Sequence, residues 1–114
     1  MAVTIWHNPR CSKSRETLAL LTARGLDPVV RNYLENPPSA AEIGAALAAL
    51  GLPAFDLLRR GEPTCRELGL TRDTTEAGII AAMAAHPVLI ERPIVFAGGR
   101  AAIGRPPEAV LAIL

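Results

Sequence analysis

Cysteine is scarce in this chain of 114 residues: Cys11 and Cys65 stand far apart and without Cys-x-x-Cys spacing. That argues against a disulfide framework and against a cysteine-rich zinc site. Histidine is equally sparse, with His7 and His86 distant in sequence, so no metal is expected. Lysine is nearly missing, Lys13 being the only one beside eleven arginines, and the formal net charge is only +1. A chain so balanced lacks the broad basic footprint of a non-specific nucleic-acid binder, and no nucleic-acid partner is expected. No apolar run approaches the roughly 20 residues that span a bilayer, and the N-terminus lacks the basic-then-apolar pattern of a signal peptide. No membrane partner is expected, and a cytoplasmic location with reduced thiols is.

What is present suits a small globular protein. Half the residues are hydrophobic and a fifth are charged, and the length predicts a single domain over residues 1–114. The arginine excess is suggestive, because the planar guanidinium fork binds tetrahedral oxyanions in a bidentate manner. GC-rich coding would also enrich arginine, so position has to decide.

Val3 to Trp6 alternates as a short strand, and Asn8-Pro9 breaks it before an amphipathic stretch with Leu18, Leu21 and Thr22 on one face. Gly25 ends that helix, and Pro28 to Leu34 predicts a second strand, parallel to the first through a right-handed crossover. Ser39 and Glu42 form a capping box before Ile43, Leu47 and Leu50, with Gly51 closing the helix. Thr64 with Glu67 reads as a second box. A further helix is expected from about Thr75 to Ala85, with His86 ending it and Pro87 stopping it. Strands follow at Val88 to Ile90 and Ile94 to Phe96, with Gly98-Gly99 as a hairpin turn into Ala101 to Ile103. Pro106-Pro107 fits the first turn of a last helix bearing Val110, Leu111 and Leu114.

Cys11 therefore lies at a strand-to-helix turn. A thiol becomes a good nucleophile once ionised, and helix N-termini and nearby cations favour ionisation. Lys13, Arg15 and His7 are close in sequence, and Ser12 or Ser14 can donate a hydrogen bond. The competing reading is a small buried structural cysteine, which the polar, basic surroundings disfavour. Ser14 occupies the place where a dithiol redox protein carries its second cysteine, so reduction requires an outside thiol. Cys65, after Pro63-Thr64, reads as a packing or surface residue.

Ordered segments run almost the whole length: His7-Asn8-Pro9-Arg10-Cys11 with Ser14-Arg15, Tyr33-Leu34-Glu35-Asn36-Pro37-Pro38, Leu57-Leu58-Arg59, Glu67-Leu68-Gly69-Leu70, His86-Pro87, Arg92-Pro93-Ile94-Val95 and Gly104-Arg105-Pro106. In these the chain resembles the arsenate reductases that work with glutathione and glutaredoxin. The resemblance implies an α/β, thioredoxin-like (glutaredoxin-like) mixed sheet, with a helical insertion at about 39–86 between its βαβ and ββα halves. It makes Cys11 the thiol that attacks arsenic, and Arg59, Arg92 and Arg105 the guanidinium cluster around the oxyanion. The register between Arg59 and its neighbour Arg60 stays open. His7 would tune the ionisation of Cys11, while Asn8, Ser14 and Arg15 would shape the anion pocket or adjust the thiol. A cis peptide before Pro93 would present Arg92 to that pocket. No bound cofactor is implied; glutathione is the co-substrate and glutaredoxin the protein partner. The chain ends at Leu114, whereas familiar members of the family continue further, so contributions of such a tail to stability or docking are expected to be missing.

Three other readings compete. One is a thiol-sensing regulator of the same fold that binds RNA polymerase; such proteins commonly carry a Cys-x-x-Cys switch, which Ser14 interrupts. A second is a reductase or thiol transferase acting on another oxyanion or substrate. The third is an idle thioredoxin-like binding module, which predicts an unshifted Cys11 pKa.

Overall fold

The computed structural model describes residues 2–114. They form two compact units, one running to Asn36 and resuming over Arg92–Leu114, the other being Pro37–Glu91.

In the first unit, strand β1 (Val3–His7) is followed by helix α1 (Ser12–Ala23) and strand β2 (Val29–Asn32). After the second unit come β3 (Ile94–Ala97) and β4 (Arg100–Ile103), then a terminal 3₁₀ helix over Pro107–Ile113. The sheet order is β2-β1-β3-β4. β1 pairs parallel with β2, antiparallel with β3, and β3 pairs antiparallel with β4. This is the thioredoxin-like mixed sheet that the resemblance implies. The βαβ half forms because the link through α1 is long enough to return the chain parallel. The β3 to β4 hairpin closes on Gly98 and Gly99, both at positive φ (57° and 79°), as a tight primed turn requires.

The core of this unit gathers Val3, Ile5, Leu21, Val95, Ala97, Val110 and Ile113. Alternation along β1 and β3 sends these side chains to one face, which α1 and the terminal 3₁₀ helix cover. On α1 the buried residues are Ser14, Thr17 and Leu21. The expected face is thus rotated: Thr22 is exposed and its hydroxyl donates to Leu18 O at 3.0 Å. Hydrophobicity alone misplaced it, because two positions of the buried stripe are polar. The last helix also differs from a regular α-helix, adopting 3₁₀ geometry with Pro107 in its first turn.

The second unit is helical: α2 (Ala40–Leu50), α3 (Ala54–Leu57), α4 (Pro63–Glu67) and α5 (Glu76–Ala85). The capping box of Ser39 and Glu42 is formed, and Gly51 closes α2 at φ 69°. Thr75 caps α5 by accepting from Gly78 N, and His86 is its C-cap. Thr64 and Glu67 do not make a second box. Glu62 is the N-cap of α4 and Pro63 starts it, which leaves Thr64 inside the helix. Val88 to Ile90 is not a strand either. Pro87 opens a 3₁₀ turn over Pro87–Leu89, and only Ile90 pairs, in an isolated antiparallel bridge with Leu58.

Candidate active site

The end of β1 and the start of α1 build the thiol's seat. Cys11 N–H donates to Asn8 O at 3.0 Å, and Cys11 O accepts from Arg15 N at 3.0 Å, the first bond of the helix. Cys11 is therefore the N-cap of α1, in extended conformation at φ −93°, ψ 122°. Its Sγ faces the free N–H groups of the first turn. The side chain is only 9% exposed, and burial by itself pushes the thiol pKa up. The Ser14 N–H, the Arg92 guanidinium with its hydrogen bond and charge, and the Lys13 N–H outweigh that burial, and the pKa falls below its ordinary value of 9.0. A thiolate is favoured at lower pH than in a free cysteine, whereas an idle binding module predicts no shift.

Ser14 is fully buried and organises the loop behind the thiol. Its Oγ accepts from Asn8 N–H at 2.9 Å and shares a hydrogen bond of 2.6 Å with His7 Nδ1. His7 is buried at the end of β1; burial first and the nearby Arg15 charge second lower its pKa from 6.5. Asn8 also holds the turn through its side chain, which accepts from Arg10 N at 3.0 Å. Arg15 folds back so that Nη1 donates to Pro9 O at 2.9 Å. It clamps the loop in this arrangement.

Two arginines converge at the same end of the sheet, Arg92 just before β3 and Arg105 just after β4. The Arg92-Pro93 peptide is cis, as the resemblance implies, and so is Arg105-Pro106. Arg105 Nη2 lies 3.6 Å from Cys11 Sγ, while its Nε donates to Arg92 O at 2.8 Å. Cys11, Arg92 and Arg105 thus form one cluster with the N-terminus of α1. A thiolate flanked by guanidinium groups and helix N–H donors can bind a tetrahedral oxyanion and attack its central atom.

Arg59 belongs to the helical unit. Its backbone N–H donates to Leu89 O at 2.7 Å, beside the Leu58 to Ile90 bridge, and this pairing brings Glu91 within reach. Arg59 Nη1 then meets Glu91 Oε1 at 2.5 Å and Nε lies 3.6 Å from Glu62 Oε1. Arg60 has a different role, stacking on the Phe55 ring, which Arg72 also covers. Cys65 is buried in the same unit with its Sγ 3.9 Å from Leu70 O. Among the described residues, no three His, Cys, Asp or Glu side chains cluster as a metal-ligating group. None of the described helices is long and apolar enough to cross a membrane.

Two residues near the cluster receive no role from the sequence, although Gly104 opens the Gly104-Arg105-Pro106 segment. Thr17 is a polar residue buried on α1, and Gly104 is buried at the end of β4 without a positive φ. Neither a hydrophobic period nor a turn signal marks them.

Residues 6–113 match the ArsC family. An uncharacterized protein of Escherichia coli K12 is 51% identical over 114 residues, spanning 98% of this chain and 96% of its own length. An arsenate reductase of Haemophilus influenzae is 44% identical over 116 residues, spanning all of both chains. Among solved structures, an arsenate reductase from Vibrio cholerae superposes with a TM-score of 0.97 at 50% identity, covering 100% of this chain and 98% of that one.

Proposed function

The chain belongs to the ArsC family, and from that premise we propose that it reduces arsenate to arsenite through a covalent arsenic adduct on Cys11, with glutathione and a glutaredoxin as the outside thiols. What carries this reading is the seat of Cys11, a thiol of lowered pKa at a helix N-terminus with Arg92 and Arg105 turned onto it.

In the proposed reaction, Arg92 and Arg105 hold the anion, joined by Arg59 as the family resemblance implies. Their fixed positive charge offsets the negative charge that otherwise repels a thiolate. Cys11 Sγ attacks arsenic, an S–As bond forms, and one oxygen leaves as water after protonation. Covalent attachment divides a difficult reduction into easier steps. Glutathione sulfur then bonds to arsenic as a second oxygen is protonated and leaves as water. The glutaredoxin thiol attacks the glutathione sulfur, the As–S bond to glutathione breaks, and its electron pair stays on arsenic, which becomes trivalent. Water displaces Cys11 and releases arsenite. Overall, arsenate and two thiols give arsenite, a disulfide and water, which balances the two electrons.

Ser14 stands where a second cysteine of a dithiol site stands, so this loop supplies no resolving thiol. That supports an external reductant such as glutathione, and a cytoplasmic setting where such thiols are abundant. The test is arsenite formation by the wild type, Cys11→Ser, Arg92→Ala, Arg105→Ala and Arg59→Ala, with glutathione and glutaredoxin supplied together, singly and not at all. The expected result is turnover that needs both thiols and Cys11. Full activity in Cys11→Ser sinks the mechanism, and turnover indifferent to glutaredoxin removes that partner.

A further inference from the structure

We infer that Gly104 is a positioning residue of the anion site: its missing side chain sets how closely the end of β4 seats against α1 and Pro93, and so where Arg92 and Arg105 stand over Cys11. The inference rests on the reading of Cys11 as a reactive, anion-facing thiol.

Gly104 continues the β3 to β4 ladder one step past Ile94 and Ile103, its N–H donating to Pro93 O at 2.9 Å. Conformational freedom does not explain a glycine here, because its φ is not positive. Space does. A Cβ at this position would collide with Thr17 Oγ1, stand 2.8 Å from Pro93 Cγ and 3.1 Å from Thr17 Cγ2. None of these atoms is the loose end of a flexible side chain. Thr17 is fully buried with its hydroxyl donating to Lys13 O at 2.8 Å, and Pro93 is a buried ring. With those neighbours fixed, an added methyl group displaces the backbone of residue 104 itself.

The chemistry hangs on that backbone from both sides. Arg105 is the next residue, with Nη2 at 3.6 Å from Cys11 Sγ and Nε on Arg92 O. Pro93, the acceptor for Gly104 N–H, follows Arg92 directly. Thr17 lies on the helix that Cys11 caps. One contact therefore joins the three segments carrying Cys11, Arg92 and Arg105. A displacement of several tenths of an ångström at Gly104 lengthens the guanidinium to sulfur approach, and such misplacement costs catalysis far more than it costs folding.

The test reads the thiol directly, through the pH profile of Cys11 alkylation by iodoacetamide in wild type, Gly104→Ala, Thr17→Ala and the double variant, with folding checked by circular dichroism. In Gly104→Ala the profile moves to higher pH, with alkylation at pH 7 slowed on the order of threefold to tenfold as the thiolate fraction drops. Thr17→Ala stays near wild type. The double variant falls between them, because removing Thr17 Oγ1 and Cγ2 makes room on one side while the Pro93 contact persists. A folded Gly104→Ala with the wild-type profile overturns the proposal. If the single variant does not fold, the double variant is read against Thr17→Ala, and identical profiles overturn it. Alkylation does not depend on arsenate, so absent arsenate turnover in the wild type with these shifts intact removes the proposed reaction and upholds the positioning role.

Discussion

Arg105 donates its Nε to the backbone carbonyl of Arg92 at 2.8 Å, so the two arginines that face the thiol are fastened to each other. The guanidinium of Arg105 keeps a second group, Nη2, at 3.6 Å from Cys11 Sγ, while Arg92 supplies both a hydrogen bond and charge that favour the thiolate. The loss of either arginine should therefore be felt at the sulfur before any substrate is present. Arg92→Ala is expected to raise the Cys11 pKa and slow its alkylation at pH 7 by about tenfold. Arg92→Lys keeps the charge without the fork and should fall between. The measurement is the rate of iodoacetamide modification against pH, and an unchanged profile in Arg92→Ala would remove this arginine from the thiol's environment.

Stability should depend on pH through His7. Burial, with Arg15 adding to it, lowers the His7 pKa below 6.5, so at pH values below 6.5 the unfolded chain binds more protons than the folded one. The contribution of the neutral imidazole is fully present above pH 6.5 and is lost as pH falls through the folded pKa. Between pH 7.5 and pH 5 the denaturant midpoint should drop more in wild type than in His7→Gln. Equal drops in both proteins would show that His7 carries no such linkage. Cys11 contributes on the alkaline side: its pKa is lowered from 9.0, so its stabilisation is full above 9.0 and fades as pH falls toward the folded value. Cys11→Ser lacks that rise.

Much of this arrangement was legible in the residues. The capping box of Ser39 and Glu42, the Gly98-Gly99 turn and the breaker Asn8-Pro9 act through local chemistry, and local chemistry is what a sequence displays. The position of Cys11 at the start of α1 followed from the same signals. The grouping of Arg92 and Arg105 at Cys11 did not, because it depends on strand register, which brings the start of β3 and the end of β4 together. Family resemblance pointed to it where periodicity could not. The readings that failed have separate physical causes. At Val88 to Ile90, apolar and β-branched content suggested a strand, yet Pro87 started a 3₁₀ turn and left only Ile90 to pair. On α1, Ser14 and Thr17 are polar but buried, since their hydroxyls bond within the loop and helix, and a hydrophobic pattern passes over such satisfied groups.

Ser14→Ala isolates the loop behind the thiol. Ser14 Oγ is the acceptor for Asn8 N–H and the partner of His7 Nδ1, and the site is buried on every side. Removing the hydroxyl leaves the Asn8 N–H without that acceptor, a loss of about 1–3 kcal/mol for a buried donor. Urea unfolding should report that loss with an unchanged slope, while Ser14→Cys is a poor substitute because sulfur accepts weakly. A Ser14→Ala protein as stable as wild type would mean that water replaces the hydroxyl.

Arg59 poses the last question, because carboxylates already surround it. Nη1 engages Glu91 at 2.5 Å and Nε lies 3.6 Å from Glu62, with all three side chains about a quarter exposed. Partly exposed pairs of this kind contribute about 1 kcal/mol or less, so an arriving anion can compete for the guanidinium, and Glu91→Gln should fold normally. If Arg59 helps to bind arsenate as proposed, neutralising Glu91 removes that competition and lowers the KM for arsenate by roughly twofold to fivefold, the equivalent of such a pair. Because the effect lies in ground-state binding, kcat should change little. Arg59→Ala should move KM in the opposite direction and further, on the order of tenfold, as a charged hydrogen-bond donor to the anion is lost. Steady-state kinetics on the two variants decide the matter. Arsenate KM values equal to wild type in both would confine Arg59 to holding the helical unit through Glu62 and Glu91.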